Sequence, residues 1–259
     1  MMFARLSRLS RLSRLPGGPA RSAFQASALV AVLALAACAS PSSRFYTLGG
    51  ASVGASGSTP AGASSVRTAA APAGLIEVAP IDVPPQVAKT QLVVQTGPTQ
   101  VKVLEEERWA SLPGDELRRA LSTSLTQQLN TIDVYGTAYS DTTPVYRVSV
   151  NVQRFESWPG SHALIDAVWS VRAVRSTAVM TCRSVVSEQV GSGYDSLVDG
   201  HRRALQRVSE QVAGALRAMA ASSASAGAAA AGASASQAKG AARVNVPACP
   251  SDGAAVAAG

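Results

Sequence analysis

From Tyr146 to Gln153 apolar and polar side chains alternate without interruption, Tyr146, Val148, Val150 and Val152 against Arg147, Ser149, Asn151 and Gln153. A repeat of two residues sends successive side chains to opposite faces of a strand, so this stretch reads as a strand with one face in a core and the other in water. The strand runs on toward Phe155, turns at Trp158-Pro159-Gly160-Ser161, and returns as Leu164 to Val174 with Ile165, Ala167, Trp169, Val171 and Ala173 on one face. A third run, from about Ala178 to Val190, completes an antiparallel meander. Such a sheet must bury its apolar face under another layer.

Two segments carry the helical period that could supply that layer. Leu117, Leu121, Leu125 and Leu129 recur every four residues, predicting an amphipathic helix from about Asp115 to Leu129, with Asp115 and Glu116 complementing its N-terminal dipole. After Gly191-Ser192-Gly193, residues Leu197, His201, Leu205, Val208, Val212, Leu216 and Met219 predict a second helix from Asp195 to Met219, capped by Ser196 or Asp195. Gly200 inside it costs about 1 kcal/mol relative to Ala, which close packing at that point would explain.

Ahead of the first helix, Leu75 to Val83 reads as a strand interrupted by Pro80 and ended by Pro84-Pro85, suiting an edge or a bulge. Gln91 to Thr96 and Gln100 to Leu104 form a hairpin about Gly97-Pro98. Glu105-Glu106-Glu107-Arg108 reads as a solvated charged stretch, and Ile132 to Tyr135 as a brief strand. The fold class is therefore α+β, a two-layer arrangement of a mainly antiparallel sheet, with its three-strand meander, and two amphipathic helices packed on it.

Composition confines this fold to residues 75–219. From Gly49 to Gly74 and from Ala220 to Gly240 the chain is almost wholly Gly, Ala, Ser and Pro, which bury too little apolar surface to offset the entropy of ordering. The first run reads as a flexible linker with a reach of about 25 to 30 Å. The second lacks a large apolar face and is not expected to dock as a helix. Between Cys38 and the first run, Phe45, Tyr46 and Leu48 either dock onto the domain as a strand or sit at a membrane interface.

The N-terminus has the three parts of a secretory signal. Arg5, Arg8, Arg11, Arg14 and Arg21 form a basic head, Ala26 to Ala37 an apolar run, and Ala36-Ala37 a small-residue break. The run falls short of the roughly 20 residues needed to span a bilayer. Leu35-Ala36-Ala37-Cys38 resembles the lipobox of bacterial lipoproteins, which implies removal of residues 1–37 and acylation of Cys38. Ala39 is not the aspartate that retains such proteins at the inner membrane, which favours the outer one. Five of the 23 basic residues precede Cys38 and none of the 16 acids do, leaving 18 against 16. The overall positive charge is thus partly a targeting feature and gives no ground for nucleic-acid binding.

With Cys38 lipidated, Cys182 and Cys249 remain as a disulfide candidate in a compartment that permits one. Closing a loop of that length stabilises by about 4 kcal/mol in the chain-entropy model. Catalytic signatures are sparse. The two histidines are His162, in a turn, and His201, in an apolar stripe where packing is the usual role. No nucleophile elbow, phosphate loop, dinucleotide fingerprint or metal-ligand spacing occurs, so no cofactor or metal is expected and the chain reads as no enzyme.

In order along the chain, the lipobox at Cys38, Phe45-Tyr46-Thr47-Leu48, Val83-Pro84, Arg108-Trp109-Ala110, Leu117-Arg118 with Leu121 and Leu125, the Trp169 strand and Gly193-Tyr194-Asp195 together resemble the PqiC (YmbA-like) lipoproteins. These are auxiliary outer-membrane components of ABC-type transport systems that work with MCE-domain proteins. The resemblance covers about Phe45 to Met219 and implies a noncatalytic domain, lipid-anchored on the periplasmic face of the outer membrane, that docks an MCE assembly moving phospholipid or other hydrophobic cargo. It also implies a possible homo-oligomeric ring. The domain organisation is then signal peptide 1–37, lipidated N-terminus and linker 38–74, auxiliary domain 75–219, and an Ala/Ser/Gly-rich tail 220–259 containing Cys249. Two other readings share the anchor: a structural envelope lipoprotein, pilotin-like or cell-wall-binding, and a lipid-anchored hydrolase.

Overall fold

The structure is a computed structural model that describes residues 42–49, 74–232 and 248–250. Contacts divide the chain into Met1–Ser42 and Ser43–Gly259, and the fold is that of the second unit. The basic head, the apolar run and Cys38 lie outside the described residues.

The element order is β1 (Arg44–Tyr46), β2 (Leu75–Val78), β3 (Gln91–Gly97), β4 (Gln100–Trp109), α1 (Pro113–Leu129), β5 (Val145–Trp158), β6 (His162–Ala173), β7 (Val179–Gln189) and α2 (Tyr194–Gly232). β5, β6 and β7 form the expected meander, with Val150 opposite Trp169 and Trp169 opposite Cys182. A bulge between Val152 and Arg154 lets Phe155 and Ser157 rejoin the buried face, which a strict period of two would have denied them.

The sheets are mainly antiparallel, as expected, but each also holds one parallel pair. β2 lies parallel to β5 at the edge of a four-stranded sheet ordered β2-β5-β6-β7, and β1 lies parallel to β4 in a three-stranded sheet ordered β1-β4-β3. Parallel pairs require long crossovers, and the chain supplies them between β1 and β4 and, through the hairpin and α1, between β2 and β5. β2 stops at Val78, and beyond Pro80 the chain returns as a single bridge from Asp82 to Asn151. Ile132 to Tyr135 is a single bridge from Asp133 to Ile76 rather than a strand.

Pro113 opens α1 behind an extended Leu112, and Asn130 closes it in the left-handed conformation that a short polar side chain tolerates. Leu117, Leu121 and Leu125 are fully buried. α2 packs Leu197, His201, Leu205, Val208, Val212, Leu216 and Met219 into the core, as its spacing requires. It continues to Gly232, past the expected end at Met219. Adding residues to a formed helix avoids the nucleation cost, alanine has the highest helix propensity, and the hydroxyls of Ser222, Ser223 and Ser225 donate back to carbonyls four residues earlier. A Cβ on Gly200 would lie 2.3 Å from Val190 Cγ1 and 3.0 Å from Ala163 Cβ, the close approach of helix to sheet that the glycine serves.

Candidate functional site

The Phe45-Tyr46-Thr47-Leu48 segment docks as a strand, with Phe45 exposed and Tyr46 and Leu48 buried. Alternation alone puts Tyr46 and Leu48 inward, and polar groups that the domain supplies hold them there. The Tyr46 hydroxyl donates to Glu107 Oε2 at 2.6 Å, and Arg44 Nε donates to Glu107 Oε1 at 3.0 Å, with a second guanidinium contact to the same oxygen. One turn into α1, Glu116 accepts from Thr47 Oγ1 at 2.6 Å, from the Leu48 amide at 2.9 Å and from Ser111 Oγ at 2.6 Å. Arg202 of α2 donates twice to the Thr47 carbonyl, at 3.1 and 2.6 Å.

The two carboxylates differ from their sequence reading. Glu107 is buried in the second half of β4 instead of lying in a solvated run, and Glu116 is fully buried instead of serving only the helix dipole. Burial pushes both carboxyl groups up, but the hydrogen bonds and charges they receive outweigh it, and both end below the usual carboxylate range. Burial, then the bond to Glu107, pushes the Tyr46 hydroxyl upward, so it stays a donor. Sequence reasoning missed Glu107, Glu116 and Arg202 as functional groups. The only visible sign was an aromatic pair and a leucine set in a Gly/Ser/Ala background.

This docking changes the meaning of the run from Gly49 to Gly74. That run joins two segments built into the same body, β1 and β2, and so is not the spacer between Cys38 and the domain. Five residues, Ala39 to Ser43, separate Cys38 from β1.

The histidines are structural in their surroundings. His201 is fully buried, stacked on Phe155 with centroids 4.1 Å apart, and its Nε2 lies 2.8 Å from Ser157 Oγ. Serine and histidine at that distance resemble two members of a catalytic triad, but Ser157 is itself buried and Nδ1 meets no carboxylate. Burial holds the imidazole neutral, its pKa lowered to about 3. His162 opens β6 rather than lying in the turn, stacked on Trp158. Among the described residues, no three His, Cys, Asp or Glu side chains converge as a metal site would need.

Cys182 sits on the helix-facing side of β7, and the structure brings Cys249 to it in disulfide geometry, with Cα atoms 5.8 Å apart. Pro250 then lies against Gly214 of α2. The opposite face of the meander carries Asp166, 1% exposed and held bidentately by Arg183 at 2.9 and 2.7 Å. That bond, then the Arg183 and Arg154 charges, keeps the Asp166 carboxyl below its usual value.

Residues 58–213, more than half of the chain, match the family model described as the ABC-type transport auxiliary lipoprotein component. Among solved structures, the crystal structure of an uncharacterized protein shares 18% identity at a TM-score of 0.51, covering 67% of this chain and 97% of that one. A Xanthomonas campestris protein shares 18% identity at a TM-score of 0.45, over 54% of this chain and 81% of that one. A putative lipoprotein from Caulobacter crescentus shares 14% identity at 0.26, over 39% and 76%. At such identities likeness concerns the fold, and only the first bears on it. No curated protein matches the chain.

Proposed function

The chain belongs to the family of ABC-type transport auxiliary lipoprotein components, and from that premise we propose that it is a noncatalytic docking subunit of an intermembrane lipid transporter. In this reading residues 1–37 are removed, Cys38 is acylated, and the body sits on the periplasmic face of the outer membrane. There it receives the end of an MCE-domain assembly that carries phospholipid or other hydrophobic cargo, with several copies arranged as a ring. ATP hydrolysis and lipid extraction belong to other subunits. The Cys182–Cys249 pair is oxidised in that compartment.

The observation that carries the reading is the docking of residues 44–48 onto Glu107, Glu116 and Arg202, immediately downstream of Cys38. Lipid on Cys38 would thereby hold a rigid body in place, as a docking subunit needs. No helix among the described residues is long and apolar enough to cross a membrane. Two or three acyl chains, at about 0.8 kcal/mol per buried CH₂, give a stable anchor without one.

The test is purification of the native protein from detergent-solubilised envelopes, with mass spectrometry of its N-terminus and of what accompanies it. An acylated Cys38 and a co-purifying MCE-domain protein are expected. A mature N-terminus anywhere else overturns the anchor, and recovery of a secretin or peptidoglycan instead of an MCE protein overturns the transport role.

A further inference from the structure

β1 runs parallel to β4, with Arg44 opposite Glu107, so the chain enters the sheet from the side on which β4 begins. That side is the β3–β4 hairpin. Cys38 precedes Ser43 by five residues, and five extended peptide units span about 18 Å at most. Whatever path those residues take, a group on Cys38 stays within that distance of Ser43. Along β4, at about 3.3 Å per residue, Val103 lies about 13 Å upstream of Glu107 and Val101 about 20 Å. The end of the hairpin therefore lies within reach of a group on Cys38.

The hairpin end exposes two valines among the polar Thr99, Gln100 and Lys102. Pro98 through Val103 are all exposed, Val101 to 47% and Val103 to 37%. Lys102 stands between the two valines and points to the other face of the strand. Its four-carbon stem and ammonium suit the boundary between acyl chains and phosphate groups, where lysine buries the stem and keeps its charge in the headgroup layer.

We propose that the end of the β3–β4 hairpin, Pro98 to Val103, is the surface that rests on the membrane, and that its occupant is the phospholipid leaflet itself. The proposal rests on acylation of Cys38, because that lipid and its short lead bring the hairpin to the leaflet. The body then lies against the headgroups rather than hanging clear of them on the Gly49–Gly74 run. Contact at a fixed corner also fixes the body's orientation toward partners arriving across the periplasm.

The experiment uses the full-length acylated protein carrying Val101→Cys, labelled with a polarity-sensitive fluorophore while Cys38 is blocked by lipid and Cys182 is bonded to Cys249. It is reconstituted in vesicles of phosphatidylethanolamine and phosphatidylglycerol with or without headgroup-nitroxide lipid. Mass spectrometry of the same sample reports the state of Cys38. We expect the nitroxide to quench the label about twofold or more, while Arg172→Cys, labelled on the uncovered face of the meander, is unaffected. A label at residue 101 that behaves as in detergent-free buffer, on protein whose Cys38 is acylated, overturns the proposal and leaves the anchor standing. A blue shift without nitroxide quenching means that protein covers the hairpin, and overturns it equally. An unacylated Cys38 overturns the anchor and this proposal together.

Discussion

The guanidinium of Arg202 grips the backbone carbonyl of Thr47 through two N–H donors, joining α2 to a segment 155 residues earlier in the chain. A carbonyl at the end of a three-residue strand has few other claimants, so the bond ties the N-terminal segment to the domain's principal helix. Arg202→Ala is expected to lower the unfolding free energy by about 1 to 3 kcal/mol and to speed hydrogen exchange of the Tyr46 to Leu48 amides. Urea unfolding and exchange mass spectrometry measure the two. A loss of stability with no local change in exchange would contradict the assigned role.

Glu107 and Glu116 make the same attachment sensitive to acid. Their folded pKa values lie below the usual 4.5, so the stability they contribute is fully present above that value and is lost as pH falls through the folded one. Urea midpoints should hold steady toward pH 5 from these groups and drop below about pH 4. In Glu107→Gln with Glu116→Gln the acid-side drop should be shallower, at the cost of a lower midpoint at neutral pH.

His201 acts in a different window. Its folded pKa, about 3, lies below the usual 6.5, so between those values the unfolded chain binds the additional proton. Stability from this residue is complete above pH 6.5 and declines as pH falls toward 3. Replacing it by Phe keeps an aromatic ring against Phe155 and Trp109 and removes the titration. The urea midpoint of His201→Phe should therefore change less than that of the native protein between pH 7.5 and 5.5.

Gly200→Ala tests the contact between α2 and the sheet. Helix propensity favours Ala by about 1 kcal/mol, but the new methyl would sit 2.3 Å from Val190 Cγ1. Overpacking of this kind costs about 1 to 3 kcal/mol. A net loss of stability is expected, with recovery when Val190→Ala is added. Failure of the second change to rescue the first would place the strain elsewhere.

Cys249→Ser is expected to lower stability by up to about 4 kcal/mol through loss of loop closure, in calorimetry of the oxidised protein against the variant. Thiol labelling of the denatured, unreduced native protein should find neither Cys182 nor Cys249 free.

The meander, the two helices and the helix-facing His201 were legible because each depends on local periodicity, and a buried face prints its period directly on the residues that form it. The resemblance of Leu35-Ala36-Ala37-Cys38 to a lipobox, which lies outside the described residues, likewise rests on neighbouring residues alone. What escaped were relationships between distant segments: β1 parallel to β4, β2 parallel to β5, and Glu107, Glu116 and Arg202 closing on residues 44–48. A carboxylate in a charged run or a helix's first turn carries no mark saying that another segment will bury it. The bulge after Val152 and the run of α2 to Gly232 belong to the same class, since packing and an already formed helix shift a local preference that composition alone weighs differently. Local pattern thus determined the elements of this protein, whereas tertiary structure decided that its N-terminal segment is part of the sheet, because pairing and burial energies arise only once distant residues meet.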